Sequence, residues 1–163
     1  MNVICFHNPE EENGVFSNWY LSDFEVDGVK YTSLEQYMMH QKALRFHDDE
    51  IAKEIMSTTD VAVIKGLGRK VRNFDGSYWN GVRQVVVYNG LLAKFSQNEE
   101  LKRILLETGD ELMAECSVSD QIWGNGISMY DTRRFRPIEW TGQNLMGYNL
   151  MLVREELRKQ DIG

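Results

Sequence analysis

Positive charge is scarce in this sequence. Its 163 residues carry 18 Lys and Arg against 25 Asp and Glu, a formal net charge of −7. A phosphate backbone repels such a chain, which excludes non-specific binding to DNA or RNA. A small phosphorylated ligand, or one nucleotide at the end of a polymer, stays open where cations cluster locally. Long apolar runs are missing too. None approaches the roughly 20 residues that a membrane helix needs, and no basic-then-apolar leader stands at the N-terminus. The expectation is a cytoplasmic protein with no membrane partner.

Cysteine is limited to Cys5 and Cys116. Neither belongs to a Cys-x-x-Cys pair, and both fall in apolar, strand-like surroundings, which reads as two reduced buried thiols. His7, His40 and His47 are too few and too badly spaced to complete a zinc site with them, so no metal and no cofactor is expected. With only 2 prolines and no Ser/Gly-rich spacer, nothing marks an internal linker. The P-loop, G-x-S-x-G and Rossmann fingerprints are absent as well.

What is present suits one domain over residues 1–163. Hydrophobic residues at 42% and charged ones at 26% are ordinary for a globular chain. Val3 to Phe6 is a short apolar run of strand type. Phe24 to Tyr31 alternates around Asp27-Gly28, the signature of a tight hairpin. A helix follows Thr32, and further helices are expected over about 48–57, 60–66 with Asp60 as N-cap, 80–96 and 98–107. Leu112 to Cys116 reads as a strand. Met146, Leu150, Val153 and Leu157 mark one face of a last helix, with Asn144 or a neighbour as its N-cap. Between them lies a long loop, Ser117 to Gln143, of the kind that usually carries function. The pattern is a helix-dominated α+β domain with a small antiparallel sheet.

Glu35 is the residue that asks for an explanation. Thr32-Ser33-Leu34-Glu35 fits a capping box, in which the glutamate reaches back to the cap amide. Yet at about 100° per residue, Lys42 and Phe46 each lie about 20° from Glu35, Met39 about 40° and Met38 about 60°. A carboxyl on that apolar face would have the raised pKa that a general acid or base needs. Gln41 and Arg45 flank the same sector and could orient a ligand.

Other candidates carry their own bland readings. Asp120 precedes Trp123-Gly124 on a loop; it is either a turn cap or a second carboxylate beside a stacking ring. Trp79 is either core or a stacking face at a helix start. Gly66-Leu67-Gly68-Arg69 is either a helix end with a basic tail or part of a ligand site. Arg133, Arg134 and Arg136 form a basic cluster that is either a solvated face or an anion site. Gly142 to Gly147 opens the last helix, whose free amides could receive an anion.

Several of these stretches resemble the NADAR family, also called YbiA-like. Phe16-Ser17-Asn18-Trp19 is similar to its F-S-N-aromatic motif, and Ser33 to Lys42 to its S-x-E-x-Y-x-x-x-Q-K helix. Gly68-Arg69, Trp79, Ala93-Lys94-Phe95, Asp120 with Trp123-Gly124, and Gly142 to Gly147 follow in family order, over about residues 4–158. The resemblance implies the YbiA-like fold and an N-glycosidase acting on a nucleobase-like ring and its ribose. It implies Glu35 and Asp120 as catalytic carboxylates, with Trp79 stacking on the base. Asn18, Lys42, Arg69, Trp123, Gly124, Asn144 and Gly147 would line the ligand, with Gln41 beside them.

Family branches differ in substrate. The segment between Gly124 and Gly142 is longer than in members acting on early riboflavin intermediates. Its arginines, Arg133 first, suit a diphosphate, so the expected substrate is ADP-ribosylated guanine in a nucleotide or nucleic-acid end. Hydrolysis of a riboflavin intermediate, or binding of ADP-ribose or NAD without turnover, are the alternatives.

Overall fold

The computed structural model describes residues 2–162, which form two compact units. One is Leu21–Asn98; the other joins the residues up to Tyr20 with those from Glu99 onward.

The Leu21–Asn98 unit starts with the expected hairpin. In chain order the strands are β1 (Val3–Phe6), β2 (Phe24–Val26), β3 (Val29–Tyr31) and β4 (Leu112–Glu115). β2 and β3 pair antiparallel, Phe24 with Tyr31. Asp27 and Gly28 take φ of 51° and 80°, the left-handed pair that a two-residue primed turn requires. α1 (Leu34–Arg45), α2 (Asp49–Met56), α3 (Val61–Gly68) and α4 (Gly76–Ser96) follow. Their starts are set by side-chain caps from Ser33, Asp48, Asp60 and Asp75. α4 begins four residues before the apolar repeat suggests, because Asp75 accepts from the amides of Ser77 and Tyr78. α1 is the centre of this unit, packed on α2, α3, α4 and β3. Two glycines allow its close approaches. A Cβ on Gly90 would fall 2.4 Å from Tyr37, and one on Gly68 would fall 1.9 Å from the Met39 sulfur.

In the other unit, β1 and β4 pair parallel, with Cys5 opposite Ala114. The antiparallel hairpin was legible in the sequence; this parallel pair was not, because its strands lie far apart in the chain. α5 (Glu99–Glu107) packs on α6 (Leu145–Ile162), and α6 on β4. The long loop contains two short 3-10 turns, Thr132–Phe135 and Pro137–Glu139. No helix among the described residues is long and apolar enough to cross a membrane.

Candidate active site

The capping box at the start of α1 is displaced by one residue from the Thr32–Glu35 expectation. Ser33 is the cap, its hydroxyl accepting from the Gln36 amide at 3.1 Å. Gln36 reaches back, its Oε1 accepting from the Thr32 amide at 2.9 Å. It also donates to the carbonyls of Ile55 and Thr58. The Thr32 amide that a Thr32–Glu35 box would give to Glu35 is thus taken by Gln36.

Glu35 is only 5% exposed, and its charge acts on Lys42. Burial pulls the Lys42 ammonium below its ordinary range, Glu35 opposes that shift, and Arg69 adds to it. Lys42 is further held by the Gly68 carbonyl at 2.7 Å and lies 4.6 Å from the Phe74 ring centre. Phe74 leads on to Phe46 at 5.2 Å, and Phe46 to Tyr78 at 5.9 Å and Trp79 at 6.4 Å. Glu35, Lys42, Arg69 and Trp79 therefore belong to one neighbourhood: a buried carboxylate, two cations and an aromatic cluster. Phe74 and Tyr78 are about half exposed, whereas Phe46 and Trp79 are buried behind them at 7% each.

Gln41 departs from this group. It points away from Glu35's sector, toward the Tyr31 hydroxyl at 3.4 Å. Tyr31 in turn bonds His40 Nδ1 at 2.8 Å. Six positions along a helix turn a side chain through about 600°, which leaves Gln41 about 120° from Glu35, so helical geometry itself corrects the expectation that it flanks that sector.

In the other unit, Asp120 caps its own loop. Its Oδ1 accepts from the amides of Ile122 and Trp123 at 3.0 and 2.9 Å, and Oδ2 stands outside those two bonds. Gly124 is a close-approach residue: a Cβ there would lie 2.7 Å from the Asp120 carbonyl. Trp123 is half buried beside it.

The start of α6 is already occupied. The amides of Asn144, Leu145 and Met146 donate to the carbonyls of Gly124, Ile122 and Trp123 at 2.9, 3.1 and 3.1 Å. Those donors are spent on the loop, which overturns the expectation of an anion-ready helix start. Nor does the Asn144 side chain cap the helix. Fully buried at φ 54°, it donates from Nδ2 to the Met113 carbonyl at 2.9 Å and accepts the Glu115 amide at 3.0 Å. It thus pairs with the edge of β4 as a one-residue strand would. Gly147 lets α6 approach that edge, since a Cβ there would lie 2.0 Å from the Met113 carbonyl. Asn144 and Gly147 hold the loop and helix to β4.

The arginine cluster is also tied up locally. Arg133 forks onto Asp131, which it holds at about 2, well below its usual range, and Arg136 pairs with Glu139. Asn18 differs. It is 8% exposed, and its Oδ1 has no hydrogen-bond partner among the described residues. A buried amide oxygen in that state is unusual.

The NADAR domain matches residues 5–158. The chain belongs to the NADAR domain family. It is similar to N-glycosidase R617 of Acanthamoeba polyphaga mimivirus, 39% identical over 161 residues that cover 94% of this chain and 95% of that protein. It is similar to N-glycosidase YbiA of Escherichia coli (strain K12), 30% identical over 95% of this chain and 88% of YbiA. The NMR structure of E. coli YbiA matches with a TM-score of 0.82 and 29% identity, covering 99% of this chain and 88% of that one. The fold is therefore the YbiA-like one. A riboflavin biosynthesis protein of Vibrio vulnificus (strain YJ016) is 31% identical over 96% of this chain but only 39% of its own length. Within this NADAR domain, sequence reading passed over Phe46, Phe74 and Tyr78 as neighbours of Trp79. Their spacing around a helix end gives no period to detect, and only the tertiary fold joins them.

Proposed function

We propose that this NADAR domain is an N-glycosidase that removes ADP-ribose from ADP-ribosylated guanine, in a nucleotide or at a nucleic-acid end, by cleaving the base–ribose bond. The observation that carries the reading is the state of Glu35: buried, with the Thr32 amide taken by Gln36, and set against Lys42. Hydrolysis breaks the bond from ribose C1′ to the base nitrogen, attaches a water oxygen to C1′, and delivers a proton to the base. Glu35 is assigned to the proton transfers. Asp120 is assigned to the positive charge that develops on the ribose, through the oxygen outside its capping bonds. Trp79 stacks on the base, within an aromatic cluster suited to a flat ring. The orphaned Oδ1 of Asn18 supports a ligand role for that residue, as acceptor for a sugar hydroxyl or ring N–H. No cofactor takes part.

The choice of ADP-ribose rests on the long segment after Gly124 and its arginines. Arg133 would take a phosphate by exchanging its Asp131 carboxylate for it. A second reading, hydrolysis of an early riboflavin intermediate, is favoured by the similarity to the Vibrio protein. Incubation with ADP-ribosylated guanosine and, separately, with the riboflavin intermediate decides between them. Release of guanosine or guanine together with ADP-ribose from the first supports the proposal, and turnover of the second alone refutes it.

A further inference from the structure

The chain's two cysteines meet. Cys5 lies on β1 opposite Ala114, and Cys116 comes two residues after Ala114, on the same face. Both are at least 96% buried, in a small cluster with Val3 and Ala114 that Leu112, Met129 and Trp140 cover. The Cys116 thiol donates to the Ala114 carbonyl at 3.9 Å, which keeps its sulfur in the cluster that holds Cys5. Cys116 is the first residue beyond the strand, where a small backbone shift costs least.

A cation stands beside them. The Arg134 carbonyl accepts from the Cys5 thiol at 3.9 Å and from the Trp140 indole at 3.1 Å. The Arg134 Nε is buried and has no hydrogen-bond partner. A buried guanidinium N–H without an acceptor is costly, and an anionic sulfur would satisfy it. The Cys116 hydrogen bond, and then the Arg134 charge, bring the Cys5 thiol below its ordinary range, against its burial and the charge of Glu12. The same contact pushes the Cys116 thiol up, so of the two it is Cys5 whose deprotonation the surroundings favour. A cation beside a thiol favours the thiolate, the form that reacts with oxidants.

We propose that Cys5 and Cys116 are a peroxide-oxidisable dithiol, with Arg134 as the cation that supports the Cys5 thiolate. In the first step the Cys5 sulfur attacks hydrogen peroxide. An S–O bond forms, the O–O bond breaks, and the departing hydroxide takes up a proton to leave as water. Cys5 is then a neutral sulfenic acid, and the negative charge that held the proton on Cys116 is gone. Cys116 loses its proton and attacks the Cys5 sulfur; the S–S bond forms, the S–O bond breaks, and a second water leaves. Two thiols and one peroxide thus give one disulfide and two waters. The disulfide takes the Cys116 sulfur from the Asn125 amide, which donates to it at 3.6 Å. Asn125 also holds the 141–142 turn through its carbonyl, so oxidation loosens the loop that carries Asp120 and Trp123.

The test treats the purified full chain with hydrogen peroxide and follows intact mass and thiol labelling. The wild type should lose about 2 Da and both labelled thiols without becoming a dimer. Cys116→Ser should accumulate a sulfenic acid on Cys5, trapped by a cyclic dione. Arg134→Gln should slow the first step several-fold, while Arg134→Lys keeps most of the rate. Hydrogen exchange over residues 117–126 should rise in the oxidised protein. The proposal is overturned if the folded wild type keeps both thiols at peroxide levels that oxidise the unfolded chain, or if the disulfide forms between chains. It is equally overturned if Arg134→Gln, shown folded by its melting curve, oxidises at the wild-type rate. The wild-type arm needs no substitution and no glycosidase assay.

Discussion

Replacing Asn144 with alanine should cost this protein a large part of its stability, although the residue lies in a stretch that sequence motifs assign to ligand binding. Its amide makes two bonds to the edge of β4, with the Met113 carbonyl and the Glu115 amide, at 2.9 and 3.0 Å. Alanine strands both backbone groups, each at a cost of about 1–3 kcal/mol when buried. Its Cβ must also hold the left-handed conformation, at φ 54°, which costs alanine about 1 kcal/mol more. The combined loss is about 3–7 kcal/mol, against a total stability of about 5–15 kcal/mol for a typical domain. Urea unfolding followed by circular dichroism measures it. Asn144→Gly should recover only the backbone part, about 1 kcal/mol, and Asn144→Asp should be as damaging as alanine, since a carboxylate oxygen then faces the Met113 carbonyl. An Asn144→Ala protein within about 1 kcal/mol of wild type that instead weakens substrate binding would refute the structural role.

Three further outcomes follow from the same reasoning. Gly147→Ala drives a Cβ into the Met113 carbonyl, and the backbone shift should cost about 1–3 kcal/mol in the same urea titration. Ser33→Ala removes the α1 cap and should cost about 1 kcal/mol, while Glu35→Gln leaves the Ser33 and Gln36 bonds of that cap in place. His40 is buried, accepts or donates at the Tyr31 hydroxyl, and has its pKa lowered by burial. Its neutral form is the folded one, so the unfolded chain binds the proton first. This contribution is complete above the unfolded His value of about 6.5 and is lost as pH falls below it toward the folded value. The fall in melting temperature from pH 7.5 to 5.5 should shrink in His40→Gln, and an unchanged fall would show that another group governs it.

Local chemistry made much of this fold readable. Asp27-Gly28 specifies its own turn, and Asp60 caps α3 as its sequence context suggests. The register of the capping box was less readable, because Ser-x-x-Gln and Thr-x-x-Glu overlap by one residue at the same helix start. Only the hydrogen bonds choose between them, and the Thr32 amide goes to Gln36. The parallel pairing of Val3–Phe6 with Leu112–Glu115 leaves no local trace, so neither the meeting of Cys5 with Cys116 nor the β4 edge that Asn144 completes could be seen in the sequence. Motifs also conceal their physical role. The Asn144 to Gly147 stretch looks like a ligand motif, yet its side-chain amide and its missing Cβ serve the docking of α6 on β4. Asn18, by contrast, keeps an unanswered acceptor that a ligand can use.

The central claim is that Glu35 carries the chemistry, and one paired measurement tests it directly. Wild type and Glu35→Gln, matched for melting temperature, are incubated with ADP-ribosylated guanosine, and both bound substrate and released products are measured. The account predicts that the variant binds substrate and releases no guanine product or ADP-ribose. Wild-type turnover by Glu35→Gln would contradict it.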